Sequence, residues 1–285
     1  MRGRQRPLIF FAYMLFLRNT FNMDYSLLSS QEEHKNFFKE KNRKPYTFEV
    51  RGKGKVLYYF GANHSRDPEN IQWGVINEYW GRFIKEAGAN RVVFLEGPQF
   101  IFSEGKSEEE TIRQFGERGF VITRAIKENI AIHWADLQIQ EEIKKLNEGF
   151  EKELVNYFIF ARSAGAWLRA GTFGPFDSVI EKAAVSTAKR IEGAPSDSSY
   201  YAAIHNKIFG KPFSDSDARD LERAAAPINN DSIINDVARA SSRLRNEHIV
   251  SEIEKFWLKG FSIFVLFGSG HAIVQERALK SLPTD

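Results

Sequence analysis

Four short stretches of the chain are apolar almost without interruption: 55–60, 91–95, 130–135 and 261–267. Runs of this length, rich in Val, Ile, Phe and Tyr, predict strands buried on both faces. A fifth run, 47–50, is separated from the first by the turn-like "RGKGK" and predicts its hairpin partner. Between the first two runs the period changes from continuous to helical. Asp67 is placed to cap, Pro68 to open the helix, and Ile71, Val75, Tyr79, Phe83 and Ile84 to form its apolar stripe, with Gly88 closing it. A strand, a helix and a strand in that order predict a sheet with a parallel centre. A second helical pattern covers 107–127, with Gly119 as its expected break.

From 141 to 234 the pattern is helical throughout, interrupted by "GTFGPF", "EGAPSD" and "FGKPF". The expected organisation is an N-terminal leader and irregular segment (1–44), an α/β core (45–140 and 235–285) and an all-helical insertion (141–234) acting as a lid. The fold class is α/β, a mostly parallel central sheet flanked by helices. The first residues, "MRGRQRP" followed by the apolar run 8–17, resemble a signal peptide or short anchor but lack a small-residue cleavage site. The run is also shorter than the roughly 20 residues of a membrane-spanning helix. The default address is cytoplasmic, and this signal-like N-terminus leaves export open.

Composition narrows the chemistry more than the fold. A net charge of +3 with interspersed signs supplies no field that points to nucleic acid. The absence of cysteine removes disulfides, thiolate metal sites and a cysteine nucleophile. There is no G-x-S-x-G or H-E-x-x-H motif and no G-x-x-x-x-G-K-[ST] phosphate loop, and "FGSGHAI" lacks the third small residue of a dinucleotide loop. His, carboxylates and Arg remain.

Ligands of open parallel sheets bind beyond the carboxyl ends of the strands. Two of the predicted strands end in Phe-Gly-x-x-His, "FGANH" with His64 and "FGSGH" with His271. With 20 Gly and 6 His in 285 residues, chance gives about 0.4 Gly-x-x-His matches, and the chain has two. The other strands end at Glu96 ("VFLEGP") and Asp136 ("IHWADLQ"). Gly61 and Gly268 are expected to turn the backbone off each strand and leave room for a ligand. Asp136 reads equally well as the cap of the following helix. His133 reads as a sheet-face histidine, and His34, His205 and His248 have no supporting context.

These residues resemble the superfamily that groups erythromycin esterases, Tiki proteases, TraB-type proteins and ChaN-like haem-uptake proteins. The resemblance rests on "GANH", "VFLEGP", "RNEHIV" and "GSGH" in that order, and implies His64, Glu96, Arg245 and His271 as site residues with Asp136 beside them. It departs where TraB-type members follow the Arg with Asp and a Met-Ala pair; this chain has Asn246, Ile249 and Val250, and Arg243 is the nearest rival for the Arg. Two schemes follow. His64, Glu96 and His271 could ligate a divalent metal such as Mn, Co or Zn that activates water. Alternatively, His64 is a metal-free base steadied by Glu96, with His271 and Arg245 stabilising the oxyanion. Both describe a hydrolase acting on a small-molecule or peptide ester or amide. The alternative class is a non-enzymatic binder of haem or another apolar ligand.

Overall fold

The computed structural model describes residues 22–39, 45–99, 105–171, 173–214 and 218–285. The signal-like run 8–17 lies outside them. Five strands, β1 (Tyr46–Gly52), β2 (Lys55–Ala62), β3 (Arg91–Leu95), β4 (Ala131–Trp134) and β5 (Ser262–Gly268), form one sheet in the order β1-β2-β5-β3-β4. β1 runs antiparallel to β2, with Gly52 opposite Lys55 across the tight turn. All other pairs are parallel. The last strand therefore lies between the first two of the parallel set.

Both faces are covered, which is why the strand sequences are continuous rather than alternating. Along β2, Leu57 and Tyr59 face a core shared with Ile249, Ile253 and Trp257 of α9 (Ile233–Leu258) and Ala272 and Leu279 of α10 (Ser269–Lys280). Val56, Tyr58 and Phe60 face the other core, with Trp73, Ile76, Trp80 and Phe83 of α2 (Gln72–Glu86) and Phe120 and Val121 of α3 (Glu108–Lys127).

One helix start and one helix break differ from expectation. α2 starts after Ile71, not at Pro68, because Asp67 spends its carboxylate on the Glu69 amide in a local turn (3.0 Å) instead of capping. Its buried face is consequently Trp73, Ile76, Trp80 and Phe83, and Ile71 is 81% exposed. α3 begins as predicted, at a reciprocal cap between Ser107 and Glu110 (2.8 and 3.2 Å). Its break, however, is at Gly116 (φ 62°, ψ −145°), not Gly119. A Cβ at Gly116 would lie 2.8 Å from the Ser65 carbonyl oxygen, so the kink brings α3 against the loop that carries His64.

Residues 31–39, expected to be irregular, form helix α1 (Gln31–Lys39). Between β4 and α9 the described residues contain helices α4 (Ile139–Leu146), α5 (Lys152–Arg169), α6 (Phe176–Arg190), α7 (Ser198–Phe209) and α8 (Ala218–Ala224) and no strand. They pack around a core of their own, with Phe158, Phe160, Ala183 and Tyr201 at its centre. α9 belongs to both cores: Ile234, Val237 and Ala238 join the helical one, Ile249 and Val250 the sheet. The expected boundary at 235 thus falls inside one continuous helix. No helix among the described residues is long and apolar enough to cross a membrane.

Candidate functional site

The strand order arranges the chemistry. Because β5 sits between β2 and β3, the edge reads His64, then Gly268 and His271, then Glu96, then Asp136, along neighbouring parallel strands. These ends open into a cleft of about 950 Å³, walled opposite by α3, α4, α5 and α6.

Glu96 is the hub. Its Oε2 accepts the Gly268 amide at 2.6 Å and lies 3.9 Å from His64 Nε2; its Oε1 lies 3.5 Å from Arg245 Nη2 and 3.7 Å from His271 Nε2. Burial alone would favour its neutral acid, but His271, His64 and Arg245 outweigh burial and hold the carboxyl below its usual range. Arg245 makes a two-pronged bond to Asp136, 2.9 Å from Nε and 2.7 Å from Nη2. Burial opposes the Asp136 charge, yet Arg245 dominates and brings that carboxyl down to about 2. Asp136 is not a helix cap, since α4 opens at Gln138 without a side-chain bond. Arg243, the rival, pairs on the surface with Glu247 (2.8 Å).

The two imidazoles are held in opposite protonation states. His271 Nδ1 lies 2.8 Å from Asn246 Oδ1, which also receives Gln275 Nε2 at 2.7 Å, while Asn246 Nδ2 donates to the Ser242 carbonyl at 2.7 Å. That backbone acceptor fixes the amide, so Asn246 Oδ1 must accept and His271 Nδ1 must carry the proton. Its Nε2 is left as a lone pair toward Glu96. Burial, reinforced by Arg245, pushes His271 down to about 4 and keeps it neutral. His64 is the reverse. Its Nδ1 donates to Glu117 Oε1 at 2.5 Å. The cleft walls work against its charge, but Glu117, with Glu96 behind it, prevails and raises the imidazole to about 9. The ring is nevertheless open to the cleft, with 58% of its side chain accessible.

Glu117 and Asn246 are the residues that sequence reasoning missed. Glu117 follows the Gly116 kink, and "FGERGF" inside a helical pattern was its only signal. Asn246 stood in view as a departure from the family motif and proves to set the His271 tautomer. His34, left without context, is buried on α1 against α10: a Cβ on Gly270 would lie 3.1 Å from its Nε2. Burial, and then His271, bring it to about 4. His133 pairs with Glu252 at 3.1 Å on the sheet face, and His205 lies in the helical core.

Neither expected glycine is a turning device, since neither has a positive φ. At Gly61, inside β2, a Cβ would meet Ala272 Cβ and the Tyr46 carbonyl, both at 2.7 Å, so the glycine admits α10 across the strand. At Gly268 a Cβ would lie 2.7 Å from His64 Nε2 and 3.4 Å from Glu96 Oε2. Gly268→Ala is therefore expected to keep the fold, within about 1 kcal/mol, because the open imidazole can swing aside. For the hydrolase that the motifs resemble, its cost is expected in turnover, about 10²-fold for a misplaced catalytic group. Urea unfolding beside ester turnover separates the two, and unchanged turnover would count against His64.

As placed, His64, Glu96 and His271 do not make a metal cage. Among the described residues no three His, Asp or Glu side chains converge closely enough to hold an ion. Both Glu96 oxygens are already turned to donors, the Gly268 amide and the Arg245 guanidinium, and His64 carries a proton that a ligand must lose. Comparison of the chain with protein-family models, with curated proteins and with solved structures finds no match.

Proposed function

We propose that the chain is a hydrolase that activates water against an ester or amide, in the manner of the erythromycin esterase and Tiki group its motifs resemble. The observation that supports this reading is the pair of strand-end histidines held on either side of one carboxylate, one charged and one neutral. Groups of one kind driven apart in pKa mark an acid and a base.

The roles are the reverse of the simplest assignment. His64, an imidazolium near neutral pH, is the acid, not the base. His271 has no Nε2 proton to give an oxyanion. Its Nε2 lone pair and Glu96 Oε1, 3.7 Å apart, accept the two hydrogens of a water and aim its oxygen at the substrate carbonyl. As the oxygen adds to the carbonyl carbon, its proton passes to the Glu96–His271 pair. His64 donates its Nε2 proton to the leaving oxygen or nitrogen as that bond breaks, and solvent returns a proton from the pair to His64. Arg245 keeps Glu96 ionised in the free enzyme. Helices α4 to α8 form the cap, an insertion that closes over the strand ends and sets specificity.

Release of 4-nitrophenol from 4-nitrophenyl butyrate, beside hydrolysis of a peptide library, tests this. Glu96→Gln keeps the shape of the side chain and removes the charge, and turnover is expected to fall by about 10³-fold, the scale of losing a principal catalytic group. A folded Glu96→Gln chain that turns over at the parent rate would sink the proposal.

A further inference from the structure

The helical wall of the cleft carries more positive charge than the chemistry at the strand ends uses. Arg162, Ala166 and Arg169 of α5, with Ala170 at its C-terminal cap, fall on the face that lines the cleft. The two alanines leave room and the two arginines supply charge. Arg169 is engaged by Glu222 of α8. Arg162 takes Glu142 of α4 in a fork, 2.6 and 3.2 Å, and the same carboxylate accepts the Ser241 hydroxyl at 2.5 Å. Glu142 is only 2% exposed and its charge is committed.

Arg190, the last residue of α6, enters the same wall next to Arg162 and has no comparable partner among the described residues. Its guanidinium has five N–H groups. Among the described residues its hydrogen bond is to a neutral acceptor, the Ser163 hydroxyl at 3.0 Å, and no carboxylate lies within ion-pair distance. The side chain is half-buried. Burial and then Arg162 push its pKa below the usual arginine value, and the pull of Glu142 does not compensate. A half-buried cation beside a second cation, with one carboxylate between them, is destabilising unless something negative arrives.

We infer that Arg190, with Arg162 beside it, is an anion subsite that holds a carboxylate or phosphate group of the ligand while the scissile bond lies at the strand ends. The Arg190 guanidinium fork, bonded among the described residues only to the Ser163 hydroxyl, suits a planar or tetrahedral oxyanion, and Arg162, whose fork is on Glu142, adds its positive charge. The scissile bond in this statement rests on the proposed hydrolase, but the subsite can be tested without turnover.

Calorimetric titration of the full chain with glutarate and with inorganic phosphate, at ionic strength matched with sodium chloride, reads the subsite directly. The parent is expected to bind at least one of them, and the stronger ligand tells a carboxylate source from a phosphate source. Arg190→Gln should weaken that ligand by about tenfold or more, and Arg190→Lys by less, since it keeps the charge and loses the fork. Equal binding by the parent and Arg190→Gln, or no binding by the parent at tens of millimolar, overturns the inference. In parallel, Arg190→Gln should lower the ratio of kcat/KM for mono-4-nitrophenyl glutarate over 4-nitrophenyl acetate by about tenfold, chiefly through KM. Arg190-dependent anion binding by a chain that cleaves neither ester would overturn the hydrolase and leave the subsite standing. Cleavage of both esters with Arg190-independent binding would do the opposite.

Discussion

Arg245→Met is expected to destabilise the folded chain by about 3–5 kcal/mol, the usual result of deleting one half of a buried ion pair. The Arg245 side chain is 19% exposed and Asp136 14%. Its fork to Asp136 and its approach to Glu96 mean that removing it strands two carboxylates in a protein interior. The expected loss is not the worth of the pair, since desolvation had already consumed much of that; it is the cost of leaving Asp136 charged and alone. Two further outcomes follow from this cause. Arg245→Met combined with Asp136→Leu should recover most of the stability, because the carboxylate that remains, Glu96, keeps the Gly268 amide and the His64 imidazolium. In the single variant Asp136, without its arginine, has its pKa raised above the ordinary 3.8 by burial. The folded state then binds a proton more readily than the unfolded chain, so the deficit shrinks as the pH falls toward that range. Urea unfolding of the parent, the single and the double variant at several pH values measures all of this. A single variant within about 0.5 kcal/mol of the parent, the range of an ordinary surface change, would mean that solvent reaches the pair freely.

The second large effect is a shift of a pH profile. In the proposed hydrolase His64 must be protonated to act as the acid, and Glu117 is what keeps it so at neutral pH. The alkaline limb of kcat/KM, which reports the free enzyme, is therefore expected near the His64 value of about 9. Glu117→Gln removes both the hydrogen bond to a carboxylate and its charge, and the limb should move down toward the ordinary histidine value of about 6.5. Near pH 8 the variant would then lose about 30-fold in rate, and near pH 5.5 it would lose little, since both forms of the enzyme carry the proton there. Proton NMR of the His64 ring reads the same shift without any turnover. The sign for stability is parallel. A histidine whose folded value is raised contributes stability that is complete below about 6.5 and is lost as the pH climbs through about 9. An alkaline limb that stays within about half a unit of the parent's in Glu117→Gln would remove His64 from the acid role.

Glu117 also shows where reading the chain stops. The five strands, the helix after Ser107 and the strand-end positions of His64, Glu96, Asp136 and His271 were legible because each signal is local: a continuous apolar run, a capping pair, a polar residue just past a strand. Strand neighbours are not local. Nothing in the run 261–267 states that it inserts between β2 and β3 and not at an edge, yet that placement brings His271 beside Glu96. The backbone geometry of the glycines was equally hidden, because Gly61 and Gly268 are dictated by what crosses them, Ala272 in one case and the His64 ring in the other.

Protonation was the least legible property of all. His64 and His271 sit in the same Phe-Gly-x-x-His motif, and the sequence by itself offers no reason to treat them differently. It determined that two imidazoles and two carboxylates would stand at the ends of buried strands, since the period and composition of those segments permit little else. The tertiary structure alone decided that one imidazole carries a charge and the other a lone pair. A kink at Gly116 delivers Glu117 to the first, and α9 delivers Asn246 and Arg245 to the second. Charge in a protein interior is set by what burial removes and by which partner lies within a few ångströms, and both are properties of the folded chain.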